Sequence, residues 1–233
     1  MNELLTQGAV WGVLLTLGAF ALGTFLQKKT RRAWCNPLLL GSLFVILFLR
    51  LFGISYPDYQ ASAGPVSWLL LPATVSLAAP LYEQWEALRK NAAAILSGIA
   101  AGVLVSLGAI LALAWVFRMD RAAAVSLLPK SVTTAIGVDI SGELGGIPAL
   151  TTAVIILTGI FGNLTARAVC KWFRVTDPVA KGVGIGSAAH AIGTARALEL
   201  GPVEGAMSSL SIAVAGILTA LLCPLAVSLL PGP

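Results

Sequence analysis

The sequence predicts an all-α, polytopic integral membrane protein, and three observations carry that prediction. Apolar residues (A, V, I, L, M, F, W, Y and C) make up 58% of the 233 positions. Charged residues make up only 11%, less than half of the roughly 25% usual in soluble domains. Stretches close to the roughly 20 apolar residues that cross a hydrocarbon layer recur along the whole chain instead of standing only at its start. One soluble core of this size does not hide that much apolar surface, so the bilayer is the expected solvent.

Taken in order, spans are expected at 6–26, 36–53, 64–82, 92–117, 147–168 and 204–230. The first apolar stretch, Val10 to Leu26, has Glu3 and no cation before it and Lys28, Lys29, Arg31 and Arg32 after it. A cleaved leader has the reverse charge order, which predicts a retained span. The joints at 28–34, 83–91 and 167–181 gather most of the cations, among them Arg89, Lys90, Arg167, Lys171, Arg174 and Lys181, whereas the opposite joints hold Arg50, Arg118 and Arg121. That asymmetry predicts the first group on the cytoplasmic side and both termini outside. The organisation expected is one transmembrane domain over 1–233, with an N-terminal helix pair over 1–60 and a core carrying broken helices over 61–233.

Two mildly apolar segments do not read as simple spans. Residues 122–146 and 177–201 are interrupted by proline, glycine, hydroxyls and charges. Under this topology each starts and ends on one side, which predicts re-entrant hairpins, the first from outside and the second from the cytoplasm. Irregular backbone at that depth survives where protein or water satisfies its amides. There is also an internal echo. Leu71-Pro-Ala-Thr-Val-Ser-Leu-Ala78 matches Leu128-Pro-Lys-Ser-Val-Thr-Thr-Ala135, and Glu86 and Glu143 keep the same offset. The echo suggests a transporter built from repeats whose broken helices meet at a central site, and it leaves a parallel and an inverted arrangement both open.

The candidate site residues fall in these segments. If a half-helix begins at Pro129, where a missing amide costs nothing, its first amides and the hydroxyls of Ser131, Thr133 and Thr134 form a cradle for a carboxylate. Pro72 and Thr74 stand at the equivalent place in the echo. Lys130 either marks the membrane surface or lies at depth, where it needs an anion or a watery cavity. The lone histidine, His190, sits one helical turn before Thr194 and close to Arg196, whose guanidinium forks onto carboxylates. His190 is read either as a satisfied structural residue or as a group that titrates near neutral pH in a proton-coupled carrier.

Other functions are not expected. The cations sit singly or in short clusters beside apolar spans, as topology determinants and not as a nucleic-acid surface. Cys35, Cys170 and Cys223 are isolated, which predicts neither a disulfide framework nor a metal site. Gly182, Gly184 and Gly186 follow no strand, so they suggest close helix packing and not a nucleotide loop. No Ser-His-Asp order or paired-carboxylate spacing marks an active site, and no cofactor is expected.

Several longer motifs resemble the LrgB/CidB family of bacterial membrane proteins. They are Asn36-Pro37, Tyr56 to Tyr59, Leu71-Pro-Ala-Thr-Val with Pro80-Leu-Tyr82, Leu128-Pro-Lys-Ser-Val-Thr-Thr134, Gly145-Gly-Ile-Pro148, Thr158-Gly159, His190-Ala-Ile-Gly-Thr-Ala-Arg196 and Glu204-Gly-Ala-Met-Ser-Ser209. They run in one order through essentially the whole chain. The resemblance implies one of two roles. One is an antiholin-like modulator of murein hydrolase export and autolysis that works with a small LrgA/CidA-type membrane protein. The other is a carrier of small carboxylates such as glycolate, glycerate or pyruvate, by similarity to plastid glycolate/glycerate translocators. The broken segments with their lysine, hydroxyls and histidine suit a carrier, with the anion held between Pro72–Thr74, Pro129–Thr134 and His190–Arg196. Small residues at small-xxx-small spacing, Gly98/Gly102 and Gly182/Gly186, offer contacts for an oligomer such as a homodimer. One departure stands out. Family members usually have proline after the Thr-Thr pair, and this chain has Ala135.

Overall fold

A computed structural model of the chain describes residues 10–30, 37–76 and 78–230, without side-chain detail at 67, 70, 71, 74, 80 and 81. Glu3, Arg31, Arg32, Cys35 and Asn36 lie outside the described residues. All regular structure among the described residues is helical: α1 (Trp11–Thr30), α2 (Pro37–Phe52), α3 (Tyr56–Trp68), α4 (Leu70–Ser76), α5 (Ala78–Glu83), α6 (Trp85–Val116), α7 (Arg121–Leu127), α8 (Thr134–Glu143), α9 (Pro148–Trp172), α10 (Pro178–Leu200) and α11 (Pro202–Ser228). The chain divides into two compact units, Met1–Ser76 and Leu77–Pro233.

In the first unit α1 packs on α2 and α3. Ala19, Val45 and Leu49 form its small core. Thr16 and Tyr59 share a hydroxyl hydrogen bond of 2.7 Å. The span expected at 64–82 is not one helix, and Pro72 explains why. A proline donates no amide hydrogen bond to the carbonyl four residues earlier. Pro72 lies four residues after Trp68, where α3 ends.

The second unit is built round three helices long and apolar enough to cross a membrane, α6, α9 and α11. In α6, Ile95, Ile99, Val103, Leu107, Ile110 and Ala114 recur at spacings of three and four and are buried, as one face of a helix must be. Opposite faces stay apolar and exposed: Leu104 and Val105 on α6, Leu157 and Phe161 on α9, and Ile217, Leu221 and Leu225 on α11. Stripes of this kind are stable against hydrocarbon and not against water.

Between these long helices lie the two broken segments, and both fold back on themselves. In the first, Asp120 caps α7 by accepting from the amides of Ala122 (3.0 Å) and Ala123 (3.3 Å). After the turn at 128–133, the start of α8 packs on that turn, and the segment that follows α8 lies against the end of α7. A Cβ on Gly137 would lie 3.3 Å from the Pro129 carbonyl oxygen, and the Ile147 amide donates to Ser126 Oγ at 2.7 Å. Next, α8 runs antiparallel to α9, with Thr151 donating to Ser141 at 2.6 Å and Gly137 facing Ile155.

The second broken segment is α10, whose backbone is non-helical at Ala189 (φ −134°, ψ 17°) and His190 (φ 41°, ψ −144°). The break reverses the chain. Ser208 of α11 packs against Gly186 on one arm and bonds to Thr194 on the other, residues that a straight helix would hold about 12 Å apart. A Cβ on Gly193 would lie 3.2 Å from the Ile185 carbonyl oxygen, and Lys181 at the start of α10 lies 3.8 Å from Glu204 at the start of α11. The first arm runs parallel to α6, with Val183 at Gly98 and Ser187 at Gly102. This hairpin therefore enters from the Trp85 end of α6, whereas the α7–α8 hairpin follows directly on its Val116 end. Both segments are broken where sequence places the breaks, and they enter from opposite ends.

Candidate functional site

At the tip of the first hairpin, two tight turns take up the chain where α7 stops. Lys130 donates its amide to Leu127 O (3.1 Å) and Val132 to Pro129 O (3.2 Å). Leu128, Pro129 and Val132 are buried and anchor the tip, leaving Lys130 half-buried between them. Its ammonium donates to Ser106 Oγ on α6 and to Ser131 Oγ, both at 3.1 Å. The two hydroxyls are 3.0 Å from each other. Among the described residues, no carboxylate pairs with Lys130; the ion pairs present are Lys181–Glu204 and Arg196–Glu199.

Turns at Pro129–Val132 also correct the expected helix start. The half-helix begins at Thr134 and not at Pro129, with Thr133 as its extended N-cap (φ −65°, ψ 150°). The Thr133 hydroxyl makes no capping bond. The amides of Thr134, Ala135 and Ile136 therefore open α8 without an intrahelical acceptor. Ala135 is the second residue of α8, in the first turn, where proline is tolerated. The departure from the family pattern thus leaves the start of α8 in place and adds one free amide donor.

The tip of the second hairpin is His190. Its Nε2 lies 3.0 Å from the Ile155 carbonyl oxygen, so the tautomer protonated at Nε2 donates there. Gly159 leaves the notch for the ring, since a Cβ there would fall 2.6 Å from Cε1 and 2.8 Å from Nε2. Thr194 donates to the His190 carbonyl at 3.0 Å, which makes Ser208 the donor in the 2.7 Å Thr194–Ser208 bond. Asn163 Nδ2 donates to the Ile192 carbonyl at 2.8 Å. These bonds fasten the break to α9 and α11, and they hold a histidine at positive φ, a conformation that costs about 1–3 kcal/mol outside glycine.

Both tips reach the same depth. Ser106 lies ten residues before the end of α6, about 15 Å along the axis, which is half of a hydrocarbon core of about 30 Å. On α10, Ser187 sits at Gly102, so Ala189 and His190 come level with the middle of α6 as well. Ile155 touches both hairpins, through its side chain to Gly137 and its carbonyl to His190.

The structure thus brings Lys130 and Ser131 together, with Thr133 and Thr134 immediately after them at the start of α8. His190 and Thr194 form the other tip, with their polar groups bonded to protein. Arg196 lies on the returning arm and pairs with Glu199 three residues on, while its Nε finds no hydrogen-bond partner. Pro72 is exposed on α4 in the first unit, and the Thr74 side chain lies outside the described ones. Sequence reasoning missed Ser106, the Ile155 carbonyl, Asn163 and Ser208. A hydroxyl or amide inside an apolar stretch was the available signal for three of them. A backbone carbonyl gives none.

Two broken-helix hairpins meeting at mid-depth inside a helical bundle with a lipid-compatible exterior define a polytopic integral membrane protein with a polar centre. The LrgB-like family model matches residues 16–229. The antiholin-like protein LrgB of Bacillus subtilis (strain 168) is 36% identical over 228 residues, covering 97% of this chain and 99% of that protein. The chain belongs to the LrgB family. No solved structure matches it.

Proposed function

We propose that the protein is a carrier of small carboxylates, of the 2-hydroxy or 2-oxo acid kind (glycolate, glycerate or pyruvate), in the bacterial cytoplasmic membrane, and that it works with a small LrgA/CidA-type membrane partner. Lys130 is the observation that carries this reading. A half-buried ammonium at mid-depth, held by two hydroxyls and unmatched by any described carboxylate, is a cost that an anionic substrate relieves. The free amides opening α8 add donors on the same tip. Arg196 is already matched by Glu199, which leaves Lys130 as the cation for the anion. Alternating access then moves one hairpin-bearing bundle against the rest, with no covalent chemistry.

A second reading, modulation of a holin-like partner without transport, draws support from the name of the Bacillus relative. Its contact surface loses support here. Gly98 faces Val183, Gly102 faces Ser187, Gly182 faces Glu204 and Met207, and Gly186 faces Ser208, so these glycines are occupied by packing within the chain. The test is uptake of labelled glycolate, pyruvate and lactate into proteoliposomes, with and without the small partner, for the wild type and Lys130→Met. Saturable uptake lost in Lys130→Met supports the carrier; no saturable uptake even with the partner present favours the modulator.

A further inference from the structure

Beside the second hairpin lies a cavity of about 230 Å³ that neither tip uses. It separates the first arm of α10 from α9, and Gly162, Ala166 and Val169 on α9 face Ala180, Gly184 and Ala188 across it. A Cβ on Gly184 would meet nothing within 4 Å, so the groove is open there, while Gly162 packs against Ala189 and closes its inner end. Its inner end is Ala189, next to His190. Its outer end is Val175 and Lys181, at the joint between the two helices.

The walls cannot hold a small hydrophilic anion. Thr165 spends its hydroxyl on the Phe161 carbonyl at 2.8 Å, and Cys170 is the other polar side chain apart from Lys181 at the mouth. The mouth has the opposite character. Lys171 and Arg174 are exposed next in sequence to the lining residues Cys170 and Val175 and join Lys181; the acids of the joint are Glu204, 3.8 Å from Lys181, and Asp177, whose carboxylate caps α10 through the Ala180 amide at 2.8 Å. An apolar slot that opens on a cluster of cations between membrane-crossing helices has the chemistry of an anionic phospholipid: acyl chain inside, phosphate at the basic rim.

We propose that this groove binds the acyl chain of an anionic phospholipid, with Lys171 and Arg174, beside the Lys181–Glu204 pair, taking its phosphate. The chain end then rests on Ala189, and the lipid props the first arm of α10 against α9 beside the His190 tip.

Cys170 lines the groove and serves as the reporter in a Cys35→Ser/Cys223→Ala background. The probe is the rate of its modification by N-ethylmaleimide in detergent, with phosphatidylglycerol or with phosphatidylcholine of the same chains. Phosphatidylglycerol at ten times its dissociation constant is expected to slow the reaction about tenfold, with phosphatidylcholine leaving it nearly unchanged. Lys171→Gln/Arg174→Gln, both exposed, should remove that difference between the lipids. Gly184→Leu should fill the slot by itself and make Cys170 slow without lipid. Equal protection by both lipids, or none by either, overturns the proposal. Protection that instead rises with protein concentration identifies a second copy as the occupant. A Cys170 that is unreactive before any lipid is added identifies another segment of this chain, and either result also overturns it.

Discussion

The His190 Nε2 lies 3.0 Å from the Ile155 carbonyl oxygen, and this bond fastens the tip of the second hairpin to α9. The same residue carries a φ of 41°, so its side chain and its backbone pull in opposite directions on stability. His190→Ala removes one of the two donors to the Ile155 carbonyl, which keeps its helical bond within α9, so the loss is that of one hydrogen bond, about 0.5–1.5 kcal/mol. His190→Gly loses the same bond but relieves the positive φ. In an ordinary helix glycine is about 0.8–1.0 kcal/mol worse than alanine. Here the order should invert, with the glycine variant unfolding at or above the temperature of the alanine variant in detergent. A glycine variant clearly less stable than the alanine one would show that position 190 is helical.

Lys130 should behave as a residue kept for function at a cost in stability. Methionine fills nearly the same volume without a charge, and a lysine at bilayer depth costs about 2.5–3.5 kcal/mol on insertion scales. Lys130→Met is therefore expected to melt higher than wild type in detergent while losing carboxylate uptake. A lower melting temperature would mean that the Ser106 and Ser131 bonds already satisfy the ammonium.

Which parts of this architecture sequence could give follows from the length scale of each signal. The long helices α6, α9 and α11 were legible because a run of apolar residues has no other stable solution. The hairpin positions were legible because proline, glycine and charge interrupt 122–146 and 177–201. The expected span at 64–82 is interrupted because Pro72 stands four residues after the end of α3, a break that apolarity alone does not reveal. At the site, Lys130 and Ser131 stood out as polar residues in an apolar segment. Ser106 did not, because one serine in a helix of 32 residues is ordinary until Lys130 is seen against it. His190 was noticed for its rarity, but its partner is a main-chain carbonyl that any residue at 155 would supply.

Ala135→Pro tests the corrected start of α8. At the second residue of that helix a proline removes an amide that has no intrahelical acceptor, so the expected cost is below about 1 kcal/mol, against about 3 kcal/mol inside a helix. If α8 began at Pro129 as sequence suggests, position 135 would be well inside it, and the variant would unfold readily or fail to insert. The melting temperature of the purified variant separates the two.

The reversal of α10 is open to a direct chemical test through Lys181 and Glu204. Their side chains lie 3.8 Å apart at the mouth of the hairpin, both partly accessible. Were α10 a straight helix from Pro178 to Leu200, Lys181 would stand about 29 Å from its far end, where α11 begins, at 1.5 Å per residue. In a background free of other cysteines, Lys181→Cys with Glu204→Cys should therefore cross-link readily with a short bismaleimide in native membranes. As the control, Lys181→Cys with Leu225→Cys pairs the hairpin mouth with the far end of α11, nearly six helical turns further on, and should not react. Cross-linking of the first pair and not the second fixes both arms of α10 on one side of the bundle; the reverse result would make α10 a full crossing and separate His190 from any hairpin tip.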